Sequence, residues 1–206
     1  MNIPVIFEDQ WLVVVNKPSG LLVIPTPKKE KRTLTSILNQ EAQSRNASYR
    51  FHPCHRLDRE TSGLMIYAKG KSSQKKIMDL FHQRAIRKTY IAFVNGVVQK
   101  GSGQINNRIE GKSAQTIYRV TGQGDGFSQI EARPVTGRTN QIRIHLKQLG
   151  HPVIGERRFA FRKDFKIKSK HLCLHARGLE FVHPLTNRRL RLTAALPAHM
   201  EKLIDN

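Results

Sequence analysis

Apolar, β-branched runs of four to six residues recur along the chain between turn residues, the mark of short strands with at least one buried face. Trp11–Val15, Leu21–Ile24, Leu64–Ala68, Tyr90–Val94, Thr116–Val120, Ser128–Arg133, Leu172–His175 and Leu190–Thr193 are predicted as strands. Helical spacing is rarer. Thr33 is placed to cap a helix running toward Arg45, and Ser72 or Ser73 to cap a second in which Ile77, Leu80, Phe81 and Arg84 share helical spacing. A third starts near Thr139 and puts Ile142, Leu146 and Leu149 on one face, with Gly150 just past its end and Pro152 two residues on. Many strands with few, dispersed helices predict an α+β fold on a mixed, mostly antiparallel sheet with flanking helices and loops. The regular β-α alternation of a doubly wound sheet is absent.

At 206 residues, with no internal repeat or low-complexity linker, one domain over residues 1–206 is expected. An apolar fraction of 38% marks a folded protein and not a basic tail. Charge changes the picture more. Lys and Arg total 36 against 15 acidic residues, a net +21, which makes nucleic acid the first partner to consider and an anionic membrane the second. The membrane reading is the weaker, because no apolar run approaches the roughly 18 residues of a spanning helix. The first residues lack the charged and apolar regions of a signal peptide. Cys54 and Cys173 are too few for a disulfide framework, so a reducing cytoplasm is expected. Self-repulsion favours a monomer without RNA, and no obligate protein partner is evident.

The charge is uneven. Lys28–Arg32 forms a basic loop after two prolines. From Arg157 to Lys170, seven of fourteen residues are Lys or Arg, including Arg162 and Lys163, interleaved with Phe159, Phe161 and Phe165. Cations next to aromatics grip phosphates and stack exposed bases.

One stretch carries candidate chemistry: His55-Arg56-Leu57-Asp58-Arg59-Glu60-Thr61-Ser62-Gly63-Leu64. Alone it reads as a salt bridge from Asp58 to Arg56 or Arg59. A second stretch, Thr136-Gly137-Arg138-Thr139-Asn140-Gln141-Ile142-Arg143-Ile144-His145-Leu146, opens the third helix and sets Arg143 on the stripe opposite its apolar side chains. Together, about 80 residues apart, the two resemble the RluA-type family of RNA pseudouridine synthases. Asn16-Lys17-Pro18-Ser19-Gly20-Leu21, Lys88-Thr89-Tyr90-Ile91-Ala92, Leu149–Gly155 and Leu174-His175-Ala176 with Phe181-Val182-His183-Pro184 match further motifs of the family in the same order.

The resemblance implies a pseudouridine synthase fold with an active-site cleft across the sheet. It implies an isomerase that detaches uridine at N1, turns the base over and rejoins it through C5. No cofactor and no metal are called for. Asp58 takes the place of the nucleophile, Arg143 that of the partner keeping it ionised, and Tyr90 that of the tyrosine against the base. His55, Arg56, Arg59, Thr61, Arg138, Ile142, Lys17, Arg162 and Lys163 are the expected substrate- and RNA-binding residues, with Arg59 either a wedge in the vacated stack or a phosphate contact. The family usually has histidine at Asn140 and aspartate at Glu156, so the hold on the helix carrying Arg143 is open to change. The first motif begins at Asn16, leaving no room before it for the S4-type domain of many relatives, so the catalytic domain is expected to hold rRNA or a tRNA arm unaided.

Two other classes compete. A non-catalytic RNA-binding protein would keep the fold and modify nothing. A nucleoside hydrolase would need a second carboxylate, and only Glu60 is near in sequence. Cys54-His55 and Cys173-Leu174-His175 match no zinc spacing, and neither a phosphate-binding G-x-x-x-x-G-K-[ST] loop nor a G-x-S-x-G elbow occurs.

Overall fold

The central apolar run, Ser62–Lys69, is buried along almost its whole length, as a strand covered on both faces must be. In the computed structural model, which describes residues 3–160, 167 and 169–204, the chain forms β1 (Val5–Glu8), β2 (Leu12–Lys17), α1 (Leu34–Ser44), β3 (Phe51–Pro53), β4 (Ser62–Lys69) and α2 (Lys71–His82). There follow β5 (Arg87–Asn95), β6 (Ser102–Ile105), β7 (Thr116–Gly124), β8 (Phe127–Pro134) and α3 (Gln141–Gln148). The chain closes with β9 (Leu174–Val182), β10 (Arg189–Thr193) and α4 (Ala198–Glu201). This is the α+β class the pattern predicts.

The elements divide into two compact units. The first holds the residues up to Arg87 with Gly178–Ala194, the second Lys88–Arg177 with the residues from Ala195. In the first, β2 pairs antiparallel with β1 and β4, β3 adds to β4, and β10 pairs with β9. Leu64, Ile66 and Ala68 alternate into a core with Leu12, Val14, Ile77, Leu179 and Phe181. Tyr67, one step out of that alternation, brings its hydroxyl to Thr35 of α1 at 3.0 Å. Thr33 caps α1 as expected, in a reciprocal box with Ser36.

In the second unit β5, β8, β7 and β6 pair antiparallel in that order. Ile142 and Leu146 of α3 pack onto Ala92, Phe93, Ile130 and Val153. Gly150, at φ +89°, ends the helix at the position the sequence marks.

Several expectations are corrected. Leu21–Ile24 is no strand: the carbonyls of Leu22 and Val23 accept from the N–H groups of Leu34 and Thr35, so the run ties down the start of α1. Neither Ser72 nor Ser73 caps α2, which starts after Gly70 without a side-chain cap and buries Ser73. Arg84 falls beyond the helix in a left-handed turn. Strands β1, β3 and β6 escape the pattern because none of them (VIFE, FHP, SGQI) offers four consecutive apolar or β-branched residues. Asn39 clamps one of them, β3, by paired hydrogen bonds with the Phe51 N–H (2.8 Å) and carbonyl (3.0 Å). β9 runs seven residues beyond the predicted end at His175, through Arg177 and Gly178, where pairing with β10 supplies what the local sequence lacks.

Candidate active site

In the first unit β2 and β4 set the frame. Their register places Lys17 opposite Gly63, just after the loop that bears Asp58. The loop's near end is fixed by an extension of the ladder beyond β3: the Cys54 N–H donates to the Ile66 carbonyl at 3.0 Å, and the Ile66 N–H donates to His55 Nε2 at 3.0 Å. The His55 ring also lies 4.7 Å from that of Phe81. The far end closes with the Thr61 N–H on the Asp58 carbonyl at 3.2 Å.

Lys17 joins this loop to the Asn16–Leu21 segment. Its ammonium has three N–H donors, and they meet the carbonyls of Leu21 (2.8 Å), Pro18 (3.0 Å) and Arg59 (3.1 Å). The Gly20 N–H donates to the Arg59 carbonyl at 2.8 Å, and Arg59 Nε donates back to the Gly20 carbonyl at 3.1 Å. Ser19 Oγ donates to the Glu60 carbonyl at 2.6 Å. Gly20 sits at φ +85°, a conformation that favours glycine over any L side chain. Burial pulls the Lys17 ammonium down to about 8, an effect that the charges of Asp58 and Glu60 partly offset. Asp58 is half-buried, whereas Arg56, Arg59 and Glu60 are exposed. The frame therefore presents a carboxylate beside a buried cation whose hydrogen bonds all go to backbone.

The second unit holds its own buried cation. α3 opens at Asn140, which takes the left-handed conformation at φ 54°, one that asparagine tolerates better than most residues. Its side chain does not cap the helix. Instead Asn140 Oδ1 accepts from Arg143 Nη1 at 2.9 Å. Glu156 completes the hold: Arg143 Nε donates to Oε2 at 2.7 Å and Nη2 to Oε1 at 2.8 Å. The same Oε1 accepts from the N–H groups of Arg157, Arg158 and Phe159 at 2.9, 2.8 and 3.3 Å. Burial alone would raise the Glu156 carboxyl, but the Arg143 and Arg158 hydrogen bonds outweigh it and hold the group below its ordinary value. Two guanidiniums approach the Phe159 ring, Arg143 at 5.3 Å and Arg158 at 5.2 Å from its centroid.

Gln141 and His145 lock the turn before the helix. Gln141 Oε1 accepts from Thr136 Oγ1 (2.6 Å) and the Arg138 N–H (3.0 Å), and its Nε2 donates to the Gln115 carbonyl (2.8 Å) and Thr116 Oγ1 (3.0 Å). His145 Nε2 lies 3.0 Å from the Asn107 carbonyl, which can only accept, so that nitrogen carries the proton and Nδ1 accepts from Thr116 Oγ1 at 2.9 Å. Burial lowers the His145 imidazole, which suits this neutral tautomer. On β5, Tyr90 is half-buried against the core and pairs with Ala132. Lys88, two residues earlier and so on the same face, has its ammonium pushed down by burial.

Within the first unit the structure thus assembles Lys17, His55, Asp58, Arg59 and Thr61, and within the second Arg138, Ile142 and Arg143. Some expected roles change. Lys17 has no exposed surface and all its donors are spent on carbonyls, so it holds a loop and cannot grip a phosphate. His55 Nε2 serves the Ile66 N–H. Ile142 is a core residue. Arg143 lies on no polar stripe: it is 5% exposed, and α3 is buried on that side too. Thr61 is buried, while Arg56 and Arg138 are exposed and Arg138 Nε donates to the Ser113 carbonyl at 3.0 Å. Arg162 and Lys163 lie outside the described residues. Sequence reasoning missed Gln141 and His145 as the residues that lock the turn before α3, although polar side chains beside the apolar stripe were the available signal. Cys54 and Cys173 are buried thiols, raised by burial to about 12 and about 11, and among the described residues no group of His, Cys, Asp and Glu is arranged to hold a metal.

Comparisons of the whole chain with known proteins return one family of matches. A sequence profile described as RNA pseudouridylate synthase matches residues 11–148. The chain is 34% identical over 198 residues to the dual-specificity RNA pseudouridine synthase RluA of Yersinia pestis, covering 87% of this chain and 92% of the relative. It is 32% identical over 219 residues to the ribosomal large subunit pseudouridine synthase C of Vibrio cholerae, covering 97% and 68%. Among solved structures, human RNA pseudouridylate synthase domain containing 4 superposes with a TM-score of 0.84 at 25% identity, over 98% of this chain and 92% of that one.

Proposed function

Since the chain belongs to the RNA pseudouridylate synthase family, whose members are isomerases acting on RNA, we propose that it converts specific uridines of a structured rRNA or tRNA stem-loop to pseudouridine with Asp58 as nucleophile. The glycosidic bond from N1 to the sugar breaks, a carbon–carbon bond from C5 forms, C5 gives up a proton and N1 gains one. Atoms balance without a cofactor. Extracting the base from its stack costs a few kcal/mol, and the net +21 offsets that through phosphate contacts and released counterions.

The observation that carries the reading is the mounting of Asp58. Its loop is pinned at both ends by backbone hydrogen bonds and from beneath by Lys17, whose charge favours the carboxylate form that a nucleophile needs. Arg143 and Tyr90 take the roles that the resemblance gives them, partner of the carboxylate and residue against the base. Arg56, Arg59 and Arg138, all exposed, are the RNA contacts. The Vibrio relative's name points to large-subunit rRNA and the Yersinia relative's to more than one target, which makes rRNA and tRNA the substrates to try. No helix among the described residues is long and apolar enough to cross a membrane, and a cytoplasmic location belongs to the same proposal.

The test is tritium release from tRNA and large-subunit rRNA transcripts labelled at uridine C5. Wild type should release tritium from at least one, and Asp58→Asn should lower the rate by roughly 10⁴-fold or more. A wild type that binds both RNAs and releases nothing would make the chain a binding protein on this fold.

A further inference from the structure

The β9–β10 hairpin buries one face and arms the other. Leu179, Phe181 and Leu190 belong to the first unit's core. Alternation then turns Glu180 and Val182 outward, and the register sets Arg191 opposite Glu180 and Arg189 opposite Val182. Arg87, at the start of β5, joins them. All three guanidiniums lie round one carboxylate: Arg191 Nε is 3.2 Å from Glu180 Oε1, Arg189 Nε is 3.8 Å from the same oxygen, and Arg87 Nη1 is 3.5 Å from Oε2.

This is a poor device for stability. The arginine side chains are 65–69% exposed, and exposed ion pairs add little to stability because water and salt screen them and holding long side chains in one geometry costs entropy. One carboxylate also neutralises only one of three cations, leaving a patch of net +2 in a protein already carrying +21. What Glu180 does achieve is geometric. It holds three guanidiniums side by side against their mutual repulsion, while each keeps further N–H donors free, because a guanidinium has five and a carboxylate two oxygens. Arg189 and Arg191 are two residues apart on a strand, about 6.6 Å along it, a span suited to separate phosphates on one strand. Planar forks of this kind bind phosphate in bidentate fashion.

We propose that this face of the β9–β10 hairpin, with Arg87, is a docking surface for the phosphate backbone of the substrate RNA. None of the three arginines falls within a motif that carries the family resemblance. The proposal deepens the reading above and rests on it for the identity of the polyanion, charge complementarity being the argument for RNA as occupant.

The experiment is equilibrium binding of the full chain to a transcript of large-subunit rRNA across a range of salt, beside turnover at saturating RNA. Arg189→Gln/Arg191→Gln should weaken binding about tenfold or more at moderate salt and reduce the slope of log affinity against log salt by roughly 2, about 1 per arginine. Turnover at saturation and melting temperature should stay near wild type. Lys75→Gln/Lys76→Gln, on exposed positions of α2, makes the same change in net charge and should shift affinity far less. Equal losses in the two double variants, or an unchanged slope in the first, would overturn the docking surface. A wild type that binds with the full slope, loses it in the arginine variant and modifies no uridine would sink the isomerase reading and leave the surface standing.

Discussion

Among the described residues, Lys17 in one unit and Arg143 in the other are the buried long cations, and the two are held in opposite ways. Lys17 meets only carbonyl oxygens, with Asp58 and Glu60 acting on it through space. Arg143 is gripped by a carboxylate through two parallel hydrogen bonds and by an amide oxygen through a third. The difference follows from the side chains. A lysine has a compact ammonium that burial can deprotonate, whereas arginine stays charged at any working pH and offers a planar fork that a carboxylate matches. Lys17 therefore lends its loop a charge that depends on pH, and Arg143 keeps a fixed charge in a fixed orientation.

The sharpest way to break the comparison is to make the second site resemble the first. Arg143→Lys retains the charge and loses the planar fork, so the two parallel hydrogen bonds to Glu156 and the third to Asn140, which leave from three separate nitrogens, cannot be reproduced from one. Turnover in the tritium assay should fall on the order of 100-fold or more, and near wild-type activity would show that charge alone is needed. Glu156→Gln attacks the same grip from the other side. Removing one partner of a buried ion pair costs about 3–5 kcal/mol, so thermal unfolding should move down by about 10 °C in a chain of this size.

The first site is tested by pH. With a folded value of about 8 against an ordinary 10.5, Lys17 binds its proton more weakly in the folded chain. Its contribution to stability is therefore greatest above pH 10.5 and is lost as pH falls through 8. Its service to Asp58 runs the other way, because the cation is present below pH 8 and disappears above it. Wild-type turnover should decline as pH rises through about 8. Lys17→Met should be slower throughout and lack that decline, and a variant that keeps the basic limb would assign it to another group. The smallest effect belongs to a helix cap: Thr33→Ala removes the side-chain acceptor for the Ser36 N–H and should cost about 1 kcal/mol, a few degrees in melting temperature with turnover unchanged.

Much of the fold was legible because its signals are local. The apolar run Leu64–Ala68, the Thr33 cap and the Gly150 stop each depend on residues a few positions apart, and each stands in the structure. The motifs around Asp58 and Arg143 were legible too, as residue types in order. Tertiary structure decided what those residues touch. Lys17 reads as a basic residue fit for phosphate until Leu21, Pro18 and Arg59, the last 42 positions away, close over it. Arg143 reads as the polar stripe of an amphipathic helix until Glu156 arrives from 13 positions on. The segment Leu21–Ile24 has a strand's composition but spends its carbonyls on the first turn of a helix. Hydrophobic period and turn chemistry were determined by the sequence itself, because neighbours along the chain set them. Whether a cation is buried or exposed is set by which distant carbonyls and carboxylates reach it, and only the folded chain brings them there.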